Sequence, residues 1–415
     1  MTGSRESRST GLHAWGVVAL LWPVAVLNYL DRMMVATMRS SIRSDIPDIA
    51  NDAEFGLLMA IFMWVYAALS PVGGYLADRF NRRWTILLSL LVWSAVTWLT
   101  GHAHSFTQMA WLRAAMGVSE AFYMPAALAL IADAHPGETR SRAIGLHLSG
   151  VYVGQALGGL GGWIADTSSW RNAFVWFGAA GVVYGLVLAG LLRDPGRARE
   201  QAAGEKPIPL GSTLKVLLGC GGFLLLVLHF TLPAQPGWAV KNWLPTFLSS
   251  EFGLKQGPAG LSATGYVTLA SVAGVILGGV LADRWSRRTP RGRIHVSALG
   301  VALCIPALIG FGMPGSLGMA IACMMLFGLG FGLFDANNMP ILAQLVGPRY
   351  RATGYGIMNF VSISAGAGIT ILLGRMRDSG IPMSRAFLIL AVVAAVSVAV
   401  VCAIRLPDST SDSKA

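Results

Sequence analysis

Runs of about 20 predominantly apolar residues recur along nearly the whole chain, and they restrict what it can fold into. A run of this length, wound as a helix, crosses the hydrocarbon core of a bilayer. Only 12% of the 415 residues are charged, against about 25% in soluble proteins. The runs are too long and too continuous for the alternating strands of a membrane barrel. The sequence therefore predicts an all-α polytopic membrane protein.

The apolar runs predict twelve transmembrane helices. They lie near residues 14–37, 54–77, 84–101, 106–134, 141–164, 171–193, 214–249, 259–283, 293–312, 315–346, 350–375 and 383–405. With the N-terminus inside, most lysines and arginines fall in cytoplasmic loops, as the positive-inside rule requires. The net charge of +11 is then a topology signal and indicates no nucleic-acid partner. We expect a multi-pass protein of the bacterial inner membrane, monomeric, with both termini cytoplasmic.

Two stretches of the sequence nearly copy each other. "GGYLADRFNRR" (73–83) and "GGVLADRWSRR" (278–288) agree at eight of eleven positions, about half a chain apart. Two six-helix halves in parallel repeat explain this offset, and such halves enclose a midplane site in transporters. The predicted domains are an N-terminal bundle (1–193), a polar linker (194–213) and a C-terminal bundle (214–415).

The two copies resemble the G-x-L-a-D-R-x-G-R-[RK] loop of the major facilitator superfamily, whose fold has twelve transmembrane helices in two six-helix pseudo-repeats. The resemblance implies transport by alternating access, with these loops as cytoplasmic gates. The gating residues it implies are Asp78, Arg79, Arg82, Asp283, Arg284 and Arg287. The central glycine of the motif is replaced by Asn81 and by Ser286. Asparagine tolerates the left-handed conformation, so we expect the first turn to keep it.

Four charged residues lie deep within the first and fourth predicted spans. Asp31 and Arg32 are adjacent in the first span, and Arg113 and Glu120 lie two helical turns apart in the fourth. A charge at the bilayer centre costs about 2.5–3.5 kcal/mol on insertion scales. Two acids and two bases cancel, so we expect the four to converge on a polar cavity. A buried structural ion pair between the two helices is the alternative.

"NYLDR" in the first span and "RAAMGVSEA" in the fourth resemble the anion:cation symporter branch, which carries sugar acids, hexuronates and organic anions. The resemblance implies that Asp31 and Glu120 couple protons and that Arg32 binds the anionic substrate. Adjacent helical residues point about 100° apart. We therefore expect Arg32 to face the cavity and Asp31 to lie to one side, nearer the charges of the fourth span. The expected function is proton-coupled symport of a small organic anion such as a sugar acid, driven by the proton gradient without a cofactor.

Two other branches compete. Spinster-like transporters of lysolipids and sphingolipids also carry an Asp-Arg pair and a glutamate, and "IADAHPGETRSRAIGLHLSGVYVGQALGG" (131–159) resembles theirs. Drug/proton antiporters carry a Gly-Pro pair in the fifth span. Gly159 stands where that proline would be, which weakens the antiporter interpretation.

Other polar residues in the spans are substrate-binding candidates. Amides donate and accept hydrogen bonds, which suits a hydroxylated solute, but helix–helix contacts use them as well. The predicted contacts besides Arg32 are Asn28, Tyr29, Arg113, Tyr152, Gln155, Asn338 and Asn359. Asp335 shares a helix face with Asn338, and Lys241 lies in the seventh span. His147 is a further candidate near the cytoplasmic mouth, whereas His229 is expected to be a satisfied packing residue.

The motif content separates a transporter from an enzyme or a channel. The spans contain no HExxH, no GxSxG and no paired ligand set for a metal, and the chain has no Walker A loop. A channel filter or pore-lining repeat is also absent from the sequence. The sequence therefore predicts a secondary transporter that is not an enzyme and binds no metal.

Overall fold

The computed structural model describes residues 3–79, 81–135, 139–192, 210–313 and 315–406, with the side chains of 3–13, 73–79, 210 and 348 outside the described set. Helices form almost all of the described chain, and no β-strand occurs in it. The helices are α1 (Gly3–Thr37), α2 (Arg39–Asp45), α3 (Asp52–Arg79), α4 (Arg82–Thr100), α5 (Phe106–Glu120), α6 (Tyr123–Ala134), α7 (Arg140–Leu157), α8 (Leu160–Thr167), α9 (Trp170–Leu191), α10 (Leu210–Gly219), α11 (Gly221–Phe252), α12 (Gln256–Ser286), α13 (Gly292–Gly312), α14 (Leu317–Asp335), α15 (Asn338–Leu345), α16 (Pro348–Asp378) and α17 (Met383–Cys402). The predicted all-α polytopic class is confirmed.

Eleven stretches within the described ranges are long and apolar enough to cross a membrane. They match eleven of the twelve predicted spans. The exception is the fifth predicted span (141–164), where α7 and α8 are separated at Gly158 and Gly159. The predicted linker (194–213) lies outside the described residues as far as residue 209.

The chain divides into two compact units, called unit 1 and unit 2 below. Unit 1 comprises Met1–Ala50, Ile61–Glu205 and Lys255–Thr264, and unit 2 comprises Asn51–Ala60, Lys206–Leu254 and Gly265–Ala415. Each unit thus consists of one half of the chain together with the first turns of a helix, α3 or α12, that continues in the other half.

Glycines allow α1 to approach α7 closely in unit 1. A Cβ atom at Gly154 would lie 2.3 Å from the Val26 carbonyl oxygen, and one at Gly158 would lie 2.3 Å from the Met33 Cβ. Both distances are too short for any side chain, so these two positions fix the register between α1 and α7. Small residues at such crossings are typical of membrane helices.

A buried aromatic pair ties the α1–α7 layer to its neighbours. Trp93 on α4 and Tyr123 on α6 are fully buried, with ring centroids 5.2 Å apart in an edge-on arrangement. The Tyr123 hydroxyl donates a hydrogen bond of 3.1 Å to the Leu21 carbonyl oxygen on α1. These contacts hold in place the helices that carry the intramembrane charges.

Unit 2 has a fully satisfied histidine at its centre. The Nδ1 atom of His229 on α11 lies 2.9 Å from the Ser397 hydroxyl on α17, and its Nε2 atom lies 2.8 Å from the Ser297 hydroxyl on α13. Because both ring nitrogens have partners, His229 is the packing residue that the sequence predicted.

An aspartate from the end of another helix caps the first turn of both α3 and α12. In unit 2, Asp378 accepts hydrogen bonds of 2.8 Å from the backbone N–H groups of Asp52 and Ala53, and Arg377 donates one of 2.8 Å to the Asp52 carboxylate. In unit 1, Asp166 accepts one of 2.6 Å from the Gly257 N–H. A carboxylate at a helix N-terminus satisfies free N–H groups and favours the helix dipole.

Candidate functional site in unit 1

A helix break inside the fourth span places Glu120. Helix α5 ends at Glu120 and α6 begins at Tyr123, with a two-residue turn between them. Pro125 causes the break, because proline lacks the N–H for the i−4 hydrogen bond and its ring clashes with the carbonyl of Ala121. The carboxylate of Glu120 therefore lies at a helix end in the middle of the span, fully buried.

Arg32 on α1 forms a direct ion pair with Glu120. Its Nε atom donates to one carboxylate oxygen, and the two side chains are 10% and 0% exposed. The guanidinium also lies over three aromatic rings, with centroids at 4.4 Å for Tyr66, 4.7 Å for Tyr29 and 5.2 Å for Phe62. Cation–π contacts within about 6 Å of a ring are attractive, more so when the cation is desolvated. Arg32 is thus held between one acid and an aromatic wall.

Asp31 makes a different contact from its neighbour. Its side chain is 1% exposed, and its Oδ2 atom accepts a hydrogen bond of 3.2 Å from the Thr97 hydroxyl on α4. The sequence placed Asp31 nearer the charges of the fourth span, but the residue in direct contact with Glu120 is Arg32. The reason is geometric: the angle between adjacent helical residues directs Arg32 to α5 and Asp31 to the third span.

Arg113 completes the group of four charges. It lies on α5, is 3% exposed, and its NH1 atom is 3.2 Å from the Met116 sulfur. Its guanidinium lies 4.6 Å from the Phe62 ring centroid, so Phe62 contacts both arginines. Three of the four charges are close together: Arg32 contacts Glu120 directly, and Arg113 shares an aromatic neighbour with Arg32. Convergence of all four on a polar cavity stays a prediction.

Several buried polar atoms near this group have no hydrogen-bond partner among the described residues. They are the Oδ1 atom of Asp31, the Oε1 atom of Glu120, both side-chain atoms of Asn28 and both ring nitrogens of His147. A buried polar atom left unsatisfied costs about 1–3 kcal/mol. Unsatisfied groups on α1, α5 and α7 therefore give unit 1 the capacity for a proton, water or polar ligand.

The other predicted binding residues are distributed between the two units. Tyr152 and Gln155 lie on α7 in unit 1 and are half-buried. Asn338 and Asn359 belong to unit 2; Asn338 is 1% exposed with its Oδ1 atom unsatisfied by described residues, and Asn359 is half-buried. Their role in substrate binding stays a prediction.

The first gating loop is described from Asn81 onward, so the side chains of Asp78 and Arg79 lie outside the described residues. Arg82 pairs with Asp133 at the end of α6 and donates a hydrogen bond of 3.0 Å to the Ala129 carbonyl oxygen. The expected left-handed turn at Asn81 is wrong. Asn81 has φ −65°, and its side chain accepts a hydrogen bond from the Trp84 N–H, so it is the N-cap of α4. Asparagine is among the preferred N-cap residues.

The second gating loop makes weaker contacts. Asp283 is 72% exposed and lies 3.6 Å from Arg293 at the start of α13. Arg284 and Arg287 are exposed. The loop motif thus holds a partly buried ion pair in its first copy and an exposed one in its second.

Three contact residues were missed by the sequence interpretation. Phe62 and Tyr66 stand one helical turn apart on α3, a spacing that could have indicated an aromatic stripe. Nothing marked Thr97, because a threonine in an apolar span commonly bonds its own helix. The part of the chain that the structure describes holds no group of three or more His, Cys, Asp or Glu side chains able to bind a metal ion.

Comparison with known proteins agrees with this architecture. The chain is 28% identical to Protein spinster of Drosophila melanogaster over 89% of its own length, which spans 63% of that relative. It is 31% identical to Protein spinster homolog 1 of Mus musculus, covering 89% of this chain and 75% of the relative. It is 26% identical to an MFS-type efflux pump of Mycolicibacterium smegmatis, over 88% and 85% of the two chains.

A solved structure has the same fold. It is a bacterial homologue of the human lysosomal transporter Spinster, in an inward-facing and unoccupied conformation, with a TM-score of 0.75 and 23% identity. The alignment covers 94% of this chain and 95% of that one. The profile of the Major Facilitator Superfamily matches residues 21–371, which include both charged spans and both gating loops. The chain is therefore a multi-pass membrane protein that belongs to the Major Facilitator Superfamily of transporters.

Proposed function

We propose that the protein is a proton-linked transporter of an amphiphile with a charged head, such as a lysolipid or sphingolipid. The observation that carries this proposal is the Arg32–Glu120 ion pair surrounded by three aromatic rings. Similarity to Spinster proteins over 89% of the chain supports it. The motifs of the first and fourth spans predicted a sugar acid, with a Spinster-like lipid as the alternative, and the alternative has the better support.

The ion pair provides a physical route to coupling. While Glu120 is ionised, it neutralises Arg32, and an anion has no reason to displace it. A proton on Glu120 leaves Arg32 as an uncompensated buried cation, which is strongly unfavourable. An anionic head group then restores neutrality. Proton and anion therefore bind together, and a carrier whose ligands bind together moves them in the same direction.

The surroundings of Arg32 suit an amphiphile better than a sugar acid. A sugar acid has several hydroxyl groups, and each one buried without a partner costs about 1–3 kcal/mol. The groups against the guanidinium are instead the rings of Tyr29, Phe62 and Tyr66. An acyl or sphingoid chain next to a phosphate meets such rings without that penalty, since apolar contact is what they offer.

Drug/proton antiport receives less support. The antiporter motif has a proline at the position of Gly159, and a Cβ atom there would lie 2.4 Å from the Leu261 backbone nitrogen. A proline does not fit this crossing within unit 1. The position that holds proline in the antiporter motif is therefore occupied here by a glycine, which lets the start of α8 pack closely against the start of α12.

The same proposal includes the setting of the protein. We place the protein in a bacterial inner membrane, and the distribution of basic residues favours cytoplasmic termini. The four intramembrane charges of unit 1 lie on α1 and α5 of the same chain, and the proposed mechanism needs only a monomer. The proton gradient is the proposed driving force, and no cofactor is required.

Reconstitution into liposomes tests the proposal. An imposed pH gradient is expected to drive transport of labelled lysophosphatidic acid or lysophosphatidylcholine across the liposome membrane. It is expected to drive no transport of glucuronate. Empty liposomes control for spontaneous lipid flip. Gradient-driven glucuronate uptake without lysolipid movement would reinstate the sugar-acid symporter. Outward drug movement against the proton gradient would indicate an antiporter.

A further inference from the structure

The break that places Glu120 has a copy in unit 2. "EAFYMP" begins at Glu120, and "DANNMP" begins at Asp335, so an acid is followed by alanine, two variable residues, methionine and proline in both. Helix α14 ends at Asp335 and α15 begins at Asn338. Pro340 stands where Pro125 stands in the first copy and breaks the helix for the same reason. The acid again lies at a helix end in the middle of a span.

Packing confirms that the two segments are equivalent. Gly117, three residues before Glu120, would place a Cβ 2.9 Å from the Phe62 carbonyl oxygen on α3. Gly332, three residues before Asp335, would place one 2.3 Å from the Ser271 carbonyl oxygen on α12. In each unit, therefore, a glycine one turn before the acid brings the broken helix against the second long helix of that half of the chain.

The cation is repeated as well. Tyr29 precedes Arg32 by three residues on α1, and Trp238 precedes Lys241 by three residues on α11, 209 positions later. The Lys241 ammonium lies 5.2 Å from the Trp238 ring centroid and 5.8 Å from that of Phe331. Each unit thus carries a cation stacked on the aromatic residue one turn before it in its own helix.

The cation and the acid of unit 2 also interact with each other. The positive charge of Lys241 acts electrostatically on the Asp335 carboxylate, and the Asn338 Nδ2 atom lies 3.4 Å from the Asp335 backbone carbonyl oxygen. Asp335 is exposed at the surface of the described chain, whereas Glu120 is fully buried. The Oδ1 atom of Asn338 is buried without a partner among the described residues. The pair is therefore built into the fold, yet a ligand can reach its acid.

The aromatic neighbours of Lys241 are held by close packing. A Cβ atom at Gly366 on α16 would lie 2.2 Å from the Trp238 ring, and one at Gly237 would lie 2.6 Å from the Phe331 ring. Glycines at these two positions leave the space that the two rings occupy, and a larger residue at either position would push against the ring. The site has a fixed aromatic wall rather than a collection of surface side chains.

We propose that Lys241 and Asp335 form a second head-group site in unit 2, which binds the phosphate and the ammonium of a zwitterionic amphiphile on Lys241 and Asp335 respectively. This inference rests on the proposed function. A zwitterion offers each of the two side chains a group of opposite charge. A simple anion would take Lys241 and leave Asp335 as an uncompensated charge, which is costly in a membrane.

Binding measurements with two lysolipids of the same acyl chain test the site. Lysophosphatidylcholine carries phosphate and ammonium, and lysophosphatidic acid carries phosphate alone. Asp335→Asn is expected to weaken lysophosphatidylcholine binding by about tenfold or more and to strengthen lysophosphatidic acid binding, because no uncompensated acid then remains when the phosphate binds Lys241. Lys241→Gln is expected to weaken both. The matched controls are Glu251→Gln and Lys215→Gln, which remove exposed charges from α11 and α10.

Each outcome decides the proposal. If Asp335→Asn keeps the wild-type ratio of lysophosphatidylcholine affinity to lysophosphatidic acid affinity, Lys241 and Asp335 have a purely structural role. That result would overturn the second site, while the proposed function would stand. Binding of neither lysolipid to the wild type would overturn the proposed function and this site with it. If a single variant does not fold, the double variant Lys241→Gln/Asp335→Asn keeps the unit neutral. Its loss of preference for lysophosphatidylcholine supports the site, and a wild-type preference overturns it.

Discussion

Unit 1 and unit 2 each carry an acid and a cation placed on one plan, but different numbers of charges surround them. In unit 1, Asp31 and Arg113 accompany the pair, and both are nearly fully buried. The equivalent positions in unit 2 hold Val240 and Gly328. The repeat therefore preserved the broken helix, the aromatic residue and the central pair, while the additional acid and base occur in unit 1 alone.

Packing explains why unit 2 has no second arginine at the position of Arg113. A Cβ atom at Gly328 would lie 2.3 Å from the Val267 carbonyl oxygen, so α14 approaches α12 too closely there for a side chain. Unit 2 is left with one cation and one acid, which are neutral together. Unit 1 has two of each and its two acids are almost fully buried, so a proton on one of them leaves a buried excess cation that an anion can neutralise, whereas Asp335 in unit 2 is exposed. We infer that unit 1 couples the proton and unit 2 selects the head group.

The largest expected effect comes from Glu120→Gln, which removes the proton site from unit 1. A gradient of one pH unit supplies a one-proton symporter with about 1.4 kcal/mol, or about tenfold accumulation. Glutamine has no ionisable proton, so this accumulation should vanish while exchange of labelled for unlabelled lysolipid continues. Liposome uptake and counterflow measure the two activities.

The acid at the equivalent position in unit 2 provides the control for that experiment. Asp335→Asn removes the acid of the pair in unit 2 and should keep gradient-driven accumulation of lysophosphatidic acid. Undiminished uphill uptake by Glu120→Gln would remove Glu120 from the coupling role. Loss of the gradient effect in Asp335→Asn as well would end the division between the two units.

Exchanging the two cations should have an intermediate effect. Arg32 stacks on three rings and pairs through its guanidinium, whereas Lys241 is a compact charge between two rings. Arg32→Lys loses the planar fork and should weaken binding of lysophosphatidic acid by more than tenfold, about 1.4 kcal/mol. Lys241→Arg keeps the charge, and a guanidinium also stacks on aromatic faces, so binding should change by about twofold or less. Equal losses in the two variants would show that the units treat their cations alike.

The sequence was informative where composition and spacing decide the structure. The apolar runs located eleven of the spans, because a bilayer demands length and hydrophobicity. The four intramembrane charges were expected to lie close together, because an isolated charge in a membrane has a high free-energy cost. The fifth span was harder, since its two adjacent glycines, Gly158 and Gly159, interrupt the helix where the apolar pattern continues.

Individual contacts could not be predicted at the same level. Which of the adjacent residues Asp31 and Arg32 faces α5, and which faces α4, depends on the rotation of α1, which the sequence does not give. Asn81 suits a left-handed turn and a helix N-cap almost equally, and only the course of the backbone into α4 decides between them. These choices depend on packing between helices distant in sequence, which a local pattern does not record.

The smallest expected effect distinguishes the two gating loops. Arg82 is 15% exposed and binds both Asp133 and the Ala129 carbonyl oxygen, so Arg82→Gln should lower stability by about 1–3 kcal/mol. Arg293 pairs at 3.6 Å with Asp283, which is 72% exposed, and Arg293→Gln should cost about 0–1 kcal/mol because exposed pairs contribute little. Thermal unfolding in detergent compares the matched substitutions. A larger loss of stability in Arg293→Gln would mean that the exposed ion pair of unit 2 is the stronger of the two loop contacts. The difference in charge between the units would then be limited to the charges within the membrane.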